Sequence, residues 1–385
     1  VLTRLPRAAK ALLCVRVLNQ LGAYAIAFLA VFAGPDLAPV ALAVFGVAAL
    51  VSRWGGALLL DRLPPRTVLA AGLVATGVSL LVLVLASTPA QVLVAVALVG
   101  LAFEIYEPAT QELVARVTEG EQQQEMYGLL GGALVAAGAA AGLLAAVLLP
   151  LGVRWLAVAD ALTCLAAAAV ALAFLPREAP DQRVRAADSA RWRPPGLLVR
   201  YTLAATAFAA GYLAVVMFLP LALLQRGADP WLPGVVLAGA AALSPAALWA
   251  TRRPLTGRAH RGVLAAGTAP LGLLALLMAW AGDVALTVVA YLAWTAACGV
   301  LLGRWQSLVA DAAPEEERPR WFAFLGSSWG VAQPAVPGAV ALAGGLVGRP
   351  GSAAFLTAAL AFLAVPVLLR ARPANRRGDA LRHAA

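Results

Sequence analysis

Val68-Leu69-Ala70-Ala71-Gly72 returns letter for letter 195 residues later as Val263-Leu264-Ala265-Ala266-Gly267. The same register holds without a gap on both sides of the block. Trp54 matches Trp249, Arg66 matches Arg261, and Gln111, Leu113, Val114 and Ala115 match Gln306, Leu308, Val309 and Ala310. Tyr127 answers to Phe322 and Gly131 to Gly326. The chain is therefore an internal duplication of two apolar halves. Two parallel hydrophobic repeats make a pseudo-two-fold bundle with a cavity between the halves, a plan common among membrane transporters.

Composition points to the bilayer. The 385 residues are 62% hydrophobic and 12% charged, with a mean hydropathy of +0.85. A soluble domain carries roughly 25% charged residues. The apolar runs approach or exceed the ~20 residues that cross ~30 Å of hydrocarbon. They predict twelve spans: 11–33, 37–59, 67–86, 90–115, 126–149, 153–175, 200–225, 231–251, 262–281, 284–309, 321–347 and 352–370. Period-two alternation is absent, which argues against a β-barrel. The expected fold is an all-α membrane protein with twelve transmembrane helices in two pseudo-two-fold related six-helix halves.

The formal charge of +10 invites a nucleic-acid reading, but its distribution refutes one. With a cytoplasmic N-terminus, the inside segments hold 24 of the 29 basic residues, and the outside loops hold only Arg154, Arg226 and Arg349. The positive-inside rule then puts both termini in the cytoplasm of a multi-pass cell (inner) membrane protein, with the lipid bilayer rather than nucleic acid as partner. Residues 1–175 form the first half, 176–199 a Pro- and charge-rich cytoplasmic linker, 200–370 the second half, and 371–385 a basic cytoplasmic tail. Cys14, Cys164 and Cys298 all fall within spans and read as small packing residues. The first run is a full-length span carrying Arg16, Asn19 and Gln20, so it is not expected to be a cleaved signal peptide.

An ionisable group within a span costs roughly 2.5–3.5 kcal/mol on insertion scales, so each needs a reason. Span 4 carries Glu104, Glu107 and Gln111, which fall within about 60° of one another on a helix. Glu104 lies at the span centre and Glu107 about 6 Å from it toward the cytoplasm. On span 1, Arg16, Asn19 and Gln20 share a face, with Arg16 about 9 Å from the centre on the cytoplasmic side. Arg16 is thus level with the Glu107–Gln111 segment. As proton-coupling residues, Glu104 and Glu107 would be favoured as neutral acids by desolvation and as carboxylates by Arg16. A static buried ion pair that fixes helix register is the competing reading. Asp160 on span 6 reads as structural. Arg304, near the cytoplasmic end of span 10, is placed to face Asp311 on its own helix, seven residues on.

Twelve spans with a long central linker resemble the major facilitator superfamily. The hallmark of that family, G-x-L-x-D-R-x-G-R-(R/K)-x-x-L, lies between spans 2 and 3. Here Leu59, Asp61, Arg62, Arg66 and Leu69 match it, while Ala57, Pro64 and Pro65 depart from it. The resemblance implies that this loop is a conformational lock on the cytoplasmic side, with the Asp61 carboxylate near a helix N-terminus of the other half. A carboxylate there complements the helix dipole. In the second repeat the Asp is Thr256, so the lock is one-sided. The antiporters of the family carry Gly-Pro and further glycines on span 5. This chain has Gly138 and Gly142 there, preceded by Gly128, Gly131 and Gly132, without the proline. Plain helix packing explains the same spacing.

In the resembled family, spans 1, 4, 7 and 10 line the central cavity. That places Asn19, Gln20, Tyr24, Gln111, Tyr212, Trp294 and Trp305 as its expected lining, aromatic and poor in polar anchors, which suits a lipophilic substrate. Trp231, Trp280 and Trp321 fit an interfacial belt. The chain has no P-loop. Its two histidines, His260 and His383, fall in basic segments, so no metal site, cofactor or catalytic triad is expected in the cavity. The reading is a monomeric, non-enzymatic secondary transporter. It would couple protons to export of a hydrophobic or amphipathic small molecule, a drug or secondary metabolite. Transport of a specific metabolite such as a siderophore, or a non-transporting receptor or scaffold, are the alternatives.

Overall fold

The computed structural model describes residues 6–22, 27–117, 120–177, 192–255 and 257–370. Tyr24 and Thr256 lie outside them, as do most of the linker and the basic tail. Fifteen α-helices run through the described residues. In the first half they are α1 (Arg7–Gly22), α2 (Leu29–Ala33), α3 (Ala38–Leu60), α4 (Pro65–Leu85), α5 (Pro89–Phe103), α6 (Tyr106–Val117), α7 (Gly120–Leu148) and α8 (Val153–Phe174). The second half holds α9 (Gly196–Gln225), α10 (Leu232–Thr251), α11 (His260–Trp280), α12 (Val284–Leu302), α13 (Arg304–Ala312), α14 (Arg318–Val347) and α15 (Pro350–Arg370).

Ten segments among the described residues are long and apolar enough to cross a membrane. The two expected spans outside that set are 11–33, whose helix is described only as α1 and α2, and 321–347, which is α14. Turn chemistry sets several boundaries. Pro65 and Pro89 occupy the first turns of α4 and α5, where their missing N–H costs nothing. Thr88 closes a capping box with Gln91.

The duplication is visible in the packing. In the first half α4 packs on α8 and α3 on α5; in the second half α11 packs on α15 and α10 on α12. Leu69 and Leu264 are both fully buried, whereas Trp54 and Trp249 are both exposed. The glycine that closes the repeated block does the same work twice. A Cβ at Gly72 would stand 3.1 Å from Tyr106 Cβ, and one at Gly267 would stand 2.8 Å from Leu301 Cδ2. Spans 4 and 10 also break at nearly equivalent places, at Glu104–Ile105 and at Gly303.

The halves meet most extensively through two symmetry-related contacts, α7 with α10 and α14 with α3. Small residues carry both. A Cβ at Gly142 would lie 2.8 Å from Ala238 Cα, one at Gly234 would lie 2.7 Å from Ala146 Cα, and one at Gly46 would lie 2.7 Å from Pro334 Cα. All of these residues sit in the parts of their helices far from the linker. That end is closed by backbone-to-backbone approach, which only small residues permit.

Two expectations about packing are corrected. Cys14 is exposed rather than packed inside, because it falls on the outer face of α1; Cys164 and Cys298 are buried. Trp321 is buried and donates to Glu317 at 3.0 Å, so it is not a belt residue, while Trp231 and Trp280 are exposed.

Candidate functional site

Glu107 sits one residue into α6, just after the break in span 4. Arg16 Nη1 donates to its Oε2 at 2.8 Å, and Gln111 Nε2 donates to its Oε1 at 3.0 Å. Both carboxylate oxygens are therefore held, one from α1 and one from the next turn of α6. Beside this pair, Asn19 Nδ2 donates to the Tyr106 hydroxyl at 2.9 Å. The chain of contacts continues as Cys164 Sγ approaches Asn19 Oδ1 at 3.6 Å and Asp160 Oδ1 at 3.5 Å. Asp160 is buried against Gly22, where a Cβ would collide with the Asp160 backbone, which agrees with a structural role.

Glu104 has a different partner. Arg53 Nη2, from the interior of α3, meets its Oε2 at 3.3 Å. The neighbouring Ser52 hydroxyl accepts the Glu104 N–H at 3.1 Å, so α3 supplies adjacent residues to the backbone and the side chain of the break. The tightness of this crossing follows from Gly56 and Gly100. A Cβ at either would press on backbone of the other helix, Ile105 or Phe45. The two acids also differ in access to water: the Glu104 side chain is 15% exposed and that of Glu107 37%.

Arg53 and Tyr106 were not foreseen. Arg53 lies seven residues before the end of its helix and reads in sequence as one of the many basic residues at the cytoplasmic margin. The available signal was its depth, about 10 Å at 1.5 Å per residue, together with the adjoining Ser52.

The remaining candidates are dispersed. Gln20 is half-buried on α1. Trp294 and Trp305 are buried in an aromatic cluster. Phe208 contacts Trp305 and Phe362, Trp294 contacts Phe362, and Tyr291 stacks on Trp294 at 5.8 Å between centroids. In this conformation Trp294 has no surface to offer a cavity. Tyr212 bridges the cluster's edge, 5.7 Å from Trp294 and 5.4 Å from Trp329 on α14. The indole nitrogens of Trp294 and Trp305 have no hydrogen-bond partner.

Asp61 caps the C-terminus of α3, and Asp61 and Arg62 form an exposed turn. Among the described residues, Asp61 has no hydrogen-bond or ion-pair partner in the other half. Arg66 donates to the Leu172 carbonyl at the C-terminus of α8, and its repeat partner Arg261 donates to the Leu369 carbonyl at the C-terminus of α15 at 2.7 Å. A cation there satisfies a free carbonyl and complements the helix dipole. Arg304 does not meet Asp311 directly. Its Nη1 lies 3.3 Å from His260 Nδ1, and His260 Nε2 lies 3.7 Å from Asp311. No group of three or more potential metal ligands occurs among the described residues.

The sequence profile of the Major Facilitator Superfamily matches residues 12–261, most of the chain. This chain belongs to the Major Facilitator Superfamily. Solved structures agree on the fold. The chain is similar to the nucleoside transporter NupG, with a TM-score of 0.74 and 10% identity, covering 94% of this chain and 98% of that one. It is similar to a mutant of the peptide transporter POT in complex with sulfate, at 0.74 and 14%, covering 94% of each chain. It is also similar to a bacterial homologue of the iron transporter ferroportin in an inward-facing state, at 0.70 and 15%, covering 94% and 98%. No curated protein matches the chain by sequence. The expected family and fold class are thus shown: an all-helical membrane transporter of the major facilitator type.

Proposed function

We propose that this superfamily member is a monomeric, proton-coupled secondary transporter that exports a hydrophobic or amphipathic small molecule by alternating access. The observation that supports coupling is the pair of acids at the break in span 4. Each has its own arginine, and the arginines come from different helices, α1 and α3. A single structural ion pair would need one acid. Two acids on a broken helix allow one to be protonated while the other keeps its partner. Glu107 is the proposed proton carrier, because it is the more exposed of the two and its holding contacts come from one residue of α1 and from its own helix. Glu104, gripped through both backbone and side chain, is the proposed anchor.

In this reading the linker end is cytoplasmic, by the charge asymmetry. The glycine seams close the opposite end, and the free Asp61 turn belongs to a cytoplasm-open conformation. An acid at its own helix C-terminus is unfavourable by about 0.3–1 kcal/mol, and docking on the N-terminus of a helix in the other half would reverse the sign of that interaction. The lipophilic substrate class is supported by Tyr212 and Trp329, which bring aromatic surface from α9 and α14 together. Protein reconstituted in liposomes with an internal pH dye tests the function. A lipophilic cation such as ethidium should move protons in the opposite direction. Substrate movement without proton movement would overturn coupling, and movement of neither would overturn transport of this substrate class.

A further inference from the structure

A cavity at the linker end belongs wholly to the second half. It measures about 680 Å³ and opens among the end of α10, the loop before α11, and the junction of α12 with α13. Gly257, at φ 73°, lets that loop reverse direction, and Arg258 follows it directly. Arg252, Arg258 and Arg304 line the cavity together with His260 and one acid, Asp311. The His260 ring lies between Arg304 and Asp311, so the acid is drawn toward the histidine. Arg258 is exposed and has no carboxylate partner among the described residues. The balance is three guanidiniums against one carboxylate in a single pocket.

The pocket is also lined with apolar groups, including Leu248, Leu255 and Val300. A second cavity of about 260 Å³ shares Leu255, Arg258 and Ala259 with it and continues along α11 past Gly262, Val263 and Ala266. Arg258 thus stands where a basic pocket meets an apolar furrow on the outer face of the bundle. Depth fits as well. Arg252 lies over the ring of Trp249 at 5.2 Å, and Trp249 is exposed, as tryptophans are at headgroup level.

We infer that this pocket binds an anionic glycerophospholipid, its phosphate between Arg258 and Arg304 and an acyl chain along the α11 furrow. A small soluble anion would use the same arginines but leave the furrow empty. Basic pockets between helices at the cytoplasmic face recognise anionic headgroups in this way.

Native mass spectrometry of the delipidated full chain tests the assignment, with phosphatidylglycerol and phosphatidylcholine of identical acyl chains. The parent should bind phosphatidylglycerol more tightly, and Arg258→Ala should lose roughly fivefold of that preference, as expected for one arginine at a membrane surface. The double variant Arg258→Ala/Arg304→Ala should show no preference. Arg258→Lys should keep most of it, and Arg253→Ala, outside the cavity, should match the parent. Equal binding of the two lipids by the parent overturns the inference. So does a preference that survives Arg258→Ala, an exposed position that the fold tolerates even if the double variant does not fold. Inorganic phosphate that displaces phosphatidylglycerol at millimolar concentration would assign the pocket to a soluble anion instead.

Discussion

At the scale of single residues, sequence alone placed Arg16 level with Glu107, and the structure brings them to 2.8 Å. The spacing rule worked because the apolar runs around both residues mark the ends of their spans, so depth is countable. It missed Arg53 because a basic residue near a helix end satisfies the topology rule and so seems explained already. The consequences for coupling are specific. Glu107→Gln should fold and bind substrate, and it should lose transport driven by a pH gradient while keeping energy-independent exchange. Arg16→Ala should lower pH-driven transport several-fold, since Glu107 then loses the contact that ties it to α1. Arg53→Ala should instead lower stability, by about 1 kcal/mol, because Glu104 loses its partner but the pair is only part-buried and screened by water on the Arg53 side. Thermal melts and proteoliposome flux separate these outcomes. Restored pH-driven transport in Arg16→Ala/Glu107→Gln would defeat the carrier assignment and leave the pair as structure.

Among the helices, the duplicated block was legible because Gly72 and Gly267 have the same neighbour by symmetry: the span that follows in their own half. The glycines of span 5 were ambiguous, since packing and an antiporter signature predict the same small residues. The structure supplies the partner: Gly142 packs on Ala238 while Gly234 packs on Ala146. The breaks in spans 4 and 10 carried a signal that went unused, since Gly303 stands at one and Pro108 lies in the first helical turn after the other. The seam can be tested by bulk. Gly142→Val would force α7 from α10, at about 1–3 kcal/mol of overpacking in the closed arrangement. The conformation open at the far end avoids that cost. A cysteine at Ala238 should then react faster with an impermeant maleimide from the far side, and transport should fall at least several-fold. Unchanged reactivity and transport would show that the contact does not gate.

For the whole molecule, orientation comes first. Cysteines at Ser189 in the linker and at Thr88 should be labelled from opposite sides of the membrane, in a background where exposed Cys14 is replaced by Ser. Labelling of both from one side would sink the twelve-span topology. The final test concerns the exchange between two arrangements of the halves. In the present one, far-end glycines hold the halves together and Asp61 stands in an exposed turn. In this arrangement its charge faces solvent at the C-terminus of its own helix, so Asp61→Asn should leave expression normal and raise stability by no more than about 0.3–1 kcal/mol. Its effect belongs to the opposite arrangement, where the carboxylate would meet a helix N-terminus of the second half and contribute about 0.3–1 kcal/mol or more in a partly buried setting. The variant should therefore populate the conformation open at the linker end more fully and transport more slowly, and a far-side probe at Ala238 should become less reactive, opposite in sign to Gly142→Val. The double variant Asp61→Asn/Gly142→Val should fall between the two, because the sites bias one equilibrium in opposite directions. Parent-like transport and probe reactivity in Asp61→Asn would reduce the matched loop to a solvated turn and leave closure of the linker end to other contacts.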